Sequence, residues 1–159
     1  AQTFPKTDFE VIVVSDGPDE ATTRTVSKWA FGQAFDLHFI ELPHPQGPAA
    51  ARNAGWKRAS GRLVAFTDDD CQPQPNWLQA YWQLYRGEPE LAFTGRVVVP
   101  MQPPVTDFQR NLAHLETAEF ITANCLCTRQ ALEKTGGFDE RFRAAWREDS
   151  DLQFRLMHE

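Results

Sequence analysis

Short apolar runs alternate with segments of helical periodicity along most of the chain. Phe9–Val14 (FEVIVV) is a β-branched run without polar alternation, which predicts a strand covered on both faces. The run ends in the turn-forming residues Ser15–Pro18. Apolar residues at helical spacing in Glu20–Phe31, followed by the run Leu37–Leu42, predict a helix and a second strand. The chain is therefore expected to begin as a β-α-β unit.

The same alternation continues toward the C-terminus. We predict further strands at Leu63–Thr67, Leu91–Val99 and Ile121–Thr128. We predict further helices at Ala49–Ala59, with Gly61 as its cap, and in the segment after Asn76, which would cap that helix. We predict three more at Arg110–Phe120, at Arg129–Lys134 and from about Asp149. This order predicts an α/β fold with parallel strands at the centre of its sheet, in a single domain over residues 1–159.

Composition narrows the classes of protein to which the chain can belong. With 159 residues and 42% hydrophobic content the chain can bury a real core, which excludes a disordered protein. Sixteen Lys and Arg against 22 Asp and Glu give a net charge of −6, so we expect no nucleic-acid partner. No apolar run approaches the roughly 20 residues of a membrane-spanning helix. An odd number of cysteines, three, favours reduced thiols and a cytoplasmic protein.

An acidic triplet follows the third predicted strand. Asp68 and Asp70 are two residues apart and should project to one face, whereas Asp69 points the other way or into the turn. Converging carboxylates repel one another unless a cation lies between them, and Mg²⁺ or Mn²⁺ prefers such oxygen ligands together with phosphate oxygens. The alternative is a solvated turn in which Asp70 or Asn76 caps the next helix. The buried strand before the triplet favours a metal site.

Other polar residues at the predicted strand and helix ends allow two interpretations each. Asp16 can cap its turn and the helix beyond it, and it can also accept hydrogen bonds from a nucleobase or ribose, since the two roles are compatible. Arg52 and Asn53 either contact a phosphate or base or are solvated surface residues. Glu148 and Asp149 begin the last predicted helix, where the helix dipole alone favours acids, although a carboxylate there could also accept a proton from an attacking hydroxyl.

Three blocks of the chain, between Phe9 and Leu156, together resemble one known family. The blocks are FEVIVVSDGPDEATTRTV, GPAAARNAGWKRASGRLVAFTDDDCQPQPNWL and GGFDERFRAAWREDSDLQFRL. In order and spacing they resemble the family 2 inverting glycosyltransferases. The resemblance implies the GT-A fold, a Rossmann-like α/β/α sandwich with a mainly parallel central sheet. It also implies that the first βα unit of that fold would precede Ala1 and that a closing segment would follow Glu159.

The resemblance also implies roles for the candidate residues. Asp149 would be the catalytic base, with Glu148 positioning the acceptor or the base. Asp70, with Asp68, would bind the metal ion. The residues that would bind the nucleotide sugar are Asp16, Arg52, Asn53, Asp68 and Asp69.

The implied reaction moves a sugar from a nucleotide-diphosphate donor to an acceptor hydroxyl with inversion, assisted by Mn²⁺ or Mg²⁺. The implied acceptor is a saccharide or a lipid-linked molecule at the inner face of the cytoplasmic membrane, with peripheral association of the full-length protein. Two alternatives are a catalytically incomplete nucleotide- or sugar-binding module and a nucleotidyltransferase, which also uses carboxylate-bound Mg²⁺ on an α/β sheet.

Overall fold

The computed structural model describes residues 1–32, 35–101 and 103–158. Five strands lie in this part of the chain: β1 (Glu10–Ser15), β2 (Asp36–Glu41), β3 (Leu63–Phe66), β4 (Ala92–Thr94) and β5 (Cys125–Thr128). They are connected and followed by the helices α1 (Glu20–Ala30), α2 (Pro48–Arg58), α3 (Trp77–Leu84), α4 (Asp107–Leu112), α5 (Arg129–Thr135) and α6 (Glu148–His158). Within these described ranges, no helix has the length and apolar character needed to cross a membrane.

The first part of the chain folds as the predicted β-α-β unit. Strands β1 and β2 pair in parallel, in a register that sets Val13 opposite Phe39. Helix α1 connects them. Its N-cap is Asp19, whose carboxylate accepts hydrogen bonds from the backbone N–H groups of Ala21 and Thr22. The start of α1 is thus fixed by a residue next to it in the sequence.

The second sheet corrects the prediction of a mainly parallel sheet. Strand β5 lies between β3 and β4 and runs antiparallel to both, so the described strands form one parallel pair and two antiparallel pairs. All four residues of β5 are buried. A strand covered on both faces has the same apolar pattern in either direction, so its sequence carries no record of its orientation.

The core lies between the second sheet and the helices that cover it. It draws on β3, β5, α2, α5 and α6 and on two loop phenylalanines; its buried members are Ala49, Trp56, Val64, Phe66, Phe120, Cys125, Cys127, Leu132, Phe138 and Leu152. Burial raises the pKa of the Cys127 thiol to about 12. The three cysteines are free thiols, as predicted.

The predicted β4, Leu91–Val99, is too long by several residues because a distant side chain interrupts it. Asn124 donates from Nδ2 to the carbonyl of Arg96 at 2.9 Å, and a Cβ on Gly95 would lie only 2.3 Å from that nitrogen. The side chain of Asn124 therefore occupies the space beside Gly95 and Arg96, where the pairing of β4 with β5 ends.

Several other element boundaries also differ from prediction. Helix α2 ends with Ala59 rather than Gly61 as its cap, and Asn76 precedes α3 without a side-chain capping bond. The predicted helix Arg110–Phe120 starts earlier, as α4, and continues as a 3₁₀ turn over Ala113–Thr117. A second 3₁₀ turn, Thr122–Asn124, takes the first part of the predicted last strand.

Glu10 connects the start of β1 to the turn between α2 and β3. Its Oε1 atom accepts hydrogen bonds from the Ser60 backbone N–H (2.6 Å), the Ser60 hydroxyl (2.7 Å) and the Gly61 backbone N–H (3.1 Å). Partial burial acts to raise the pKa of Glu10, but these bonds and the nearby His38 outweigh it and hold that pKa below its ordinary 4.5.

Replacing Glu10 with Gln should lower the free energy of unfolding by about 1.5 to 3 kcal/mol near pH 7, because charge-assisted bonds are lost. A lowered folded-state pKa stabilises the protein above the unfolded-state pKa, and this stabilisation disappears as the pH falls through the folded-state pKa. Denaturant unfolding of both proteins should therefore show a difference that narrows as the pH falls through the folded-state pKa of Glu10, which lies below 4.5. Glu133→Gln, on the exposed side of α5, is the control. An unchanged difference at low pH would contradict this account.

Candidate active site

Asp16 orders the loop that leads into α2. Its carboxylate accepts hydrogen bonds from the backbone N–H groups of Gln46 (2.7 Å) and Gly47 (2.9 Å). Gly47 has φ 100°, and a Cβ there would lie 2.4 Å from the carbonyl oxygen of Arg143, so this close approach requires glycine. Contact between Asp16 and a nucleobase stays a prediction, and the carboxylate already fixes the start of α2.

Arg52 joins three segments that are far apart in sequence. On α2, its Nη1 donates to Oε1 of Glu148 at 2.9 Å and its Nη2 donates to Oδ1 of Asp68 at 2.9 Å. The side chains of Arg52 and Glu148 are 18% and 3% exposed, whereas that of Asp68 is 35% exposed. The guanidinium thus connects the end of β3 to the beginning of α6 in a largely desolvated setting.

Glu148 has a carboxylate oxygen without a partner. Oε1 binds Arg52, whereas Oε2 is buried and has no hydrogen-bond partner among the described residues. The two residues before α6, Trp146 and Arg147, have φ values of 86° and 90°, which non-glycine residues rarely adopt. A strained turn and an unpaired buried oxygen both cost stability, and such features concentrate at functional sites.

Asn53 holds the loop after α5 against α2. Its Nδ2 donates to the carbonyl of Phe138 at 2.8 Å, and its Oδ1 accepts from the Phe138 N–H at 2.9 Å and from Nε1 of Trp56 at 2.8 Å. Nδ2 also donates to Glu140 at 2.8 Å. The ring of Phe138 in turn lies 5.8 Å from the guanidinium carbon of Arg52. Asn53 therefore supports Arg52 through Phe138. Its contact with a nucleotide stays a prediction.

The acidic triplet presents two carboxylates beside a thiol. One ligand atom each from Asp68, Asp70 and Cys71 lies within 4.8 Å of the others, and both Asp69 and Asp70 are exposed. Burial raises the pKa of Cys71, and the Asp68 and Asp70 carboxylates raise it further. The two carboxylates supply hard oxygen donors, which fit Mg²⁺ or Mn²⁺.

Asp149 directly follows Glu148, the residue that binds Arg52. It is half-buried in the first turn of α6, where its Oδ1 accepts from the Ser150 N–H at 2.7 Å. Burial raises the pKa of Cys125, Cys127 raises it further, and Arg52, Asp68 and Asp149 are all close enough to affect it as well. The buried Cys125 thiol therefore lies near both the Asp149 carboxylate and the pair formed by Arg52 and Asp68.

The predicted site residues therefore divide into two groups. Arg52 contacts both Asp68 and Glu148, a ligand atom of Asp70 lies within 4.8 Å of one of Asp68, and Asp69 and Asp149 directly follow Asp68 and Glu148 in sequence. Asp16 and Asn53 contact backbone of neighbouring loops instead. Sequence reasoning missed the support that Phe138 provides through its contacts with Asn53 and Arg52.

Comparison with known proteins identifies the family. The family model for glycosyl transferase family 2 matches residues 1–148. The chain belongs to this family. The pre-mycofactocin glycosyltransferase of Mycobacterium tuberculosis is 31% identical over 165 residues, which cover 94% of this chain and 34% of that protein. The chain thus spans about a third of the length of this family 2 relative.

Solved family 2 structures share the fold. The crystal structure of Staphylococcus aureus TarS 1-349 superposes with a TM-score of 0.72 at 24% identity, over 98% of this chain and 48% of that chain. The mannosyltransferase PcManGT of Pyrobaculum calidifontis, in complex with GDP-Man and Mn²⁺, superposes with a TM-score of 0.67 at 25% identity, over 98% of this chain and 44% of that chain. The mixed α/β fold therefore matches GT-A glycosyltransferases over nearly the whole chain, which confirms the expected fold family.

The adjacent glycines of the loop after α5 make a matched pair of tests. Both have φ near 76°, but a Cβ on Gly137 would lie 2.5 Å from Nε1 of Trp56, whereas one on Gly136 meets nothing within 4 Å. Gly136→Ala should cost about 1 to 2 kcal/mol from the backbone conformation alone. Gly137→Ala should cost about 3 kcal/mol or more, because it also disrupts the Asn53 contacts. Chemical denaturation measures both, and equal losses would contradict the packing described.

Proposed function

We propose that the chain is the donor-binding and catalytic part of an inverting glycosyltransferase. It would transfer a sugar from a nucleotide-diphosphate donor to an acceptor hydroxyl. The observation that carries this proposal is the contact of Arg52 with both Asp68 and Glu148, because it brings the acidic triplet and the start of α6 into one site. The complex of PcManGT with GDP-Man and Mn²⁺ supports a nucleotide sugar and a divalent cation as its ligands.

In this proposal Asp149 acts as the general base. It accepts the proton of the acceptor hydroxyl while that oxygen attacks the anomeric carbon from the face opposite the diphosphate. The bond between the anomeric carbon and the diphosphate oxygen breaks in the same step, and the configuration is inverted. Asp149 is only half-buried, so an acceptor can reach its carboxylate.

Asp70 and Asp68 would hold the divalent cation. When bound, such a cation supplies positive charge to the departing diphosphate. Arg52 lies against Asp68 and supplies a further positive charge at this edge of the site. Asp16 fixes the loop before α2, and the proposal retains it, with Asn53 and Asp69, among the residues near the nucleotide.

We also propose a saccharide or lipid-linked acceptor, with the full-length protein working at the cytoplasmic face of a membrane. This part of the proposal rests on the family alone. It is tested by the partition of the full-length protein between membrane and supernatant after cell fractionation. Recovery in the supernatant alone would contradict membrane association without touching the assignment of the active site.

Asp149→Asn should separate chemistry from binding. We expect donor turnover to fall by about 10²- to 10⁴-fold, the usual contribution of a general base, with nucleotide affinity nearly unchanged. The assay follows release of UDP or GDP from a panel of UDP- and GDP-sugars with Mn²⁺, and calorimetry gives the affinity of each nucleotide. Asp151→Asn, two residues along α6, is the matched control and should keep most of the activity.

Asp70→Ala should instead abolish Mn²⁺-dependent binding of the nucleotide. Full turnover by both the Asp149 and Asp70 variants would overturn the assigned roles. Nucleotide binding without any turnover by the native chain would favour the binding module, and release of pyrophosphate from a nucleoside triphosphate would favour a nucleotidyltransferase.

A further inference from the structure

Arg52 is shared unequally between two carboxylates. It gives one N–H group to Asp68 and one to Glu148, although Glu148 has a second oxygen that is buried and unpaired. An arginine and a carboxylate pair most strongly through two parallel hydrogen bonds. The described arrangement therefore leaves Glu148 half-satisfied, while Arg52 uses its second donor on a residue at the candidate cation site.

The unpaired oxygen lies where its cost is high. The side chain of Glu148 is 3% exposed, so bulk solvent has little access to this oxygen. Leaving a buried charged group partly unpaired costs more than an exposed pair gains. Neither its burial nor its bond to Arg52 explains why Oε2 lacks a donor. A second state in which this oxygen receives a donor would explain it.

A cation at Asp68 and Asp70 would create the conditions for that second state. The guanidinium lies 2.9 Å from Oδ1 of Asp68, so a divalent ion on the same carboxylate would repel Arg52 at short range. Glu148 is the other anion in contact with Arg52, and its free oxygen offers the second position of a two-bond pair.

We propose that Arg52 is a positioning residue that moves from bridging Asp68 and Glu148 to a two-bond pair with Glu148 when a divalent cation binds. Glu148 thereby sets the cation affinity of a carboxylate with which it has no direct bond. Because Glu148 precedes Asp149, the same exchange ties cation occupancy to the start of the helix that carries the proposed base. This inference rests on the proposed function, specifically on the cation site at Asp68 and Asp70.

The test compares two substitutions of Glu148 with two matched substitutions on the same helix. Glu148→Asp keeps the charge but shortens the side chain by one methylene, and Glu148→Gln removes the charge. Asp151→Glu keeps the charge and lengthens the side chain by one methylene, and Asp151→Asn removes the charge. Asp151 pairs with Arg155 instead of Arg52. Mn²⁺ affinity is measured without nucleotide, by water-proton relaxation, and thermal unfolding confirms that each variant is folded.

Both Glu148 variants should bind Mn²⁺ roughly fivefold or more weakly, the lower range of measured coupling between sites, because Arg52 then stays on Asp68 and opposes the cation. Both Asp151 variants should stay within about twofold of the native chain. Native affinity in Glu148→Asp would overturn the inference, since it would show that only the net charge near the cation matters. If Glu148→Asp does not fold, Glu148→Gln decides, and an effect no larger than that of Asp151→Asn would overturn the inference.

The outcome for the proposed function can be separated from this one. If the native chain binds no Mn²⁺, or if Asp70→Ala leaves Mn²⁺ binding unchanged, the proposed cation site is wrong and the inference is overturned with it. If the native chain binds Mn²⁺ through Asp70 and Glu148→Asp binds it equally well, the inference alone fails.

Discussion

The guanidinium of Arg52 has to satisfy two carboxylates with one positive charge. Its bonds to Asp68 and Glu148 hold the end of β3 and the beginning of α6 at a fixed separation, within a setting that excludes most water. An isolated buried carboxylate is costly, so Glu148 can be held there only while Arg52 is held there too. The placement of α6, and with it Asp149, thus depends on a side chain of α2.

The backbone contacts of Asn53 position the Phe138 ring that packs beside Arg52. Asn53 binds both the N–H and the carbonyl of Phe138, as a neighbouring strand would, and the ring of Phe138 packs beside Arg52. Adjacent residues of α2 therefore have separate tasks, one toward the core and one toward the site. Gly137 makes this possible because a side chain there would overlap Asn53 and Trp56.

Local sequence predicted the elements well but said little about what connects them. The run FEVIVV and the position of Asp19 specify β1 and the start of α1 through contacts between near neighbours. The bond between Arg52 and Glu148 joins residues 96 positions apart, and no local pattern encodes it. The predicted end of β4 was wrong for the same reason, since Asn124 lies 28 residues beyond the Arg96 carbonyl that it binds. The predicted strand and helix ends indicated the site residues and the resemblance to a family assigned their roles, but the partners of Asn53 and Asp16 became visible only in the fold.

The cysteines differ in a way that has a practical use. Burial raises the pKa of all three thiols, but Cys125 and Cys127 are fully enclosed, whereas Cys71 is partly open to solvent and lies beside Asp70. Alkylating reagents need both access and some thiolate, so slow labelling at mildly alkaline pH should select Cys71. A fluorophore or spin label attached at this native thiol would report on events at the acidic triplet without any engineered substitution.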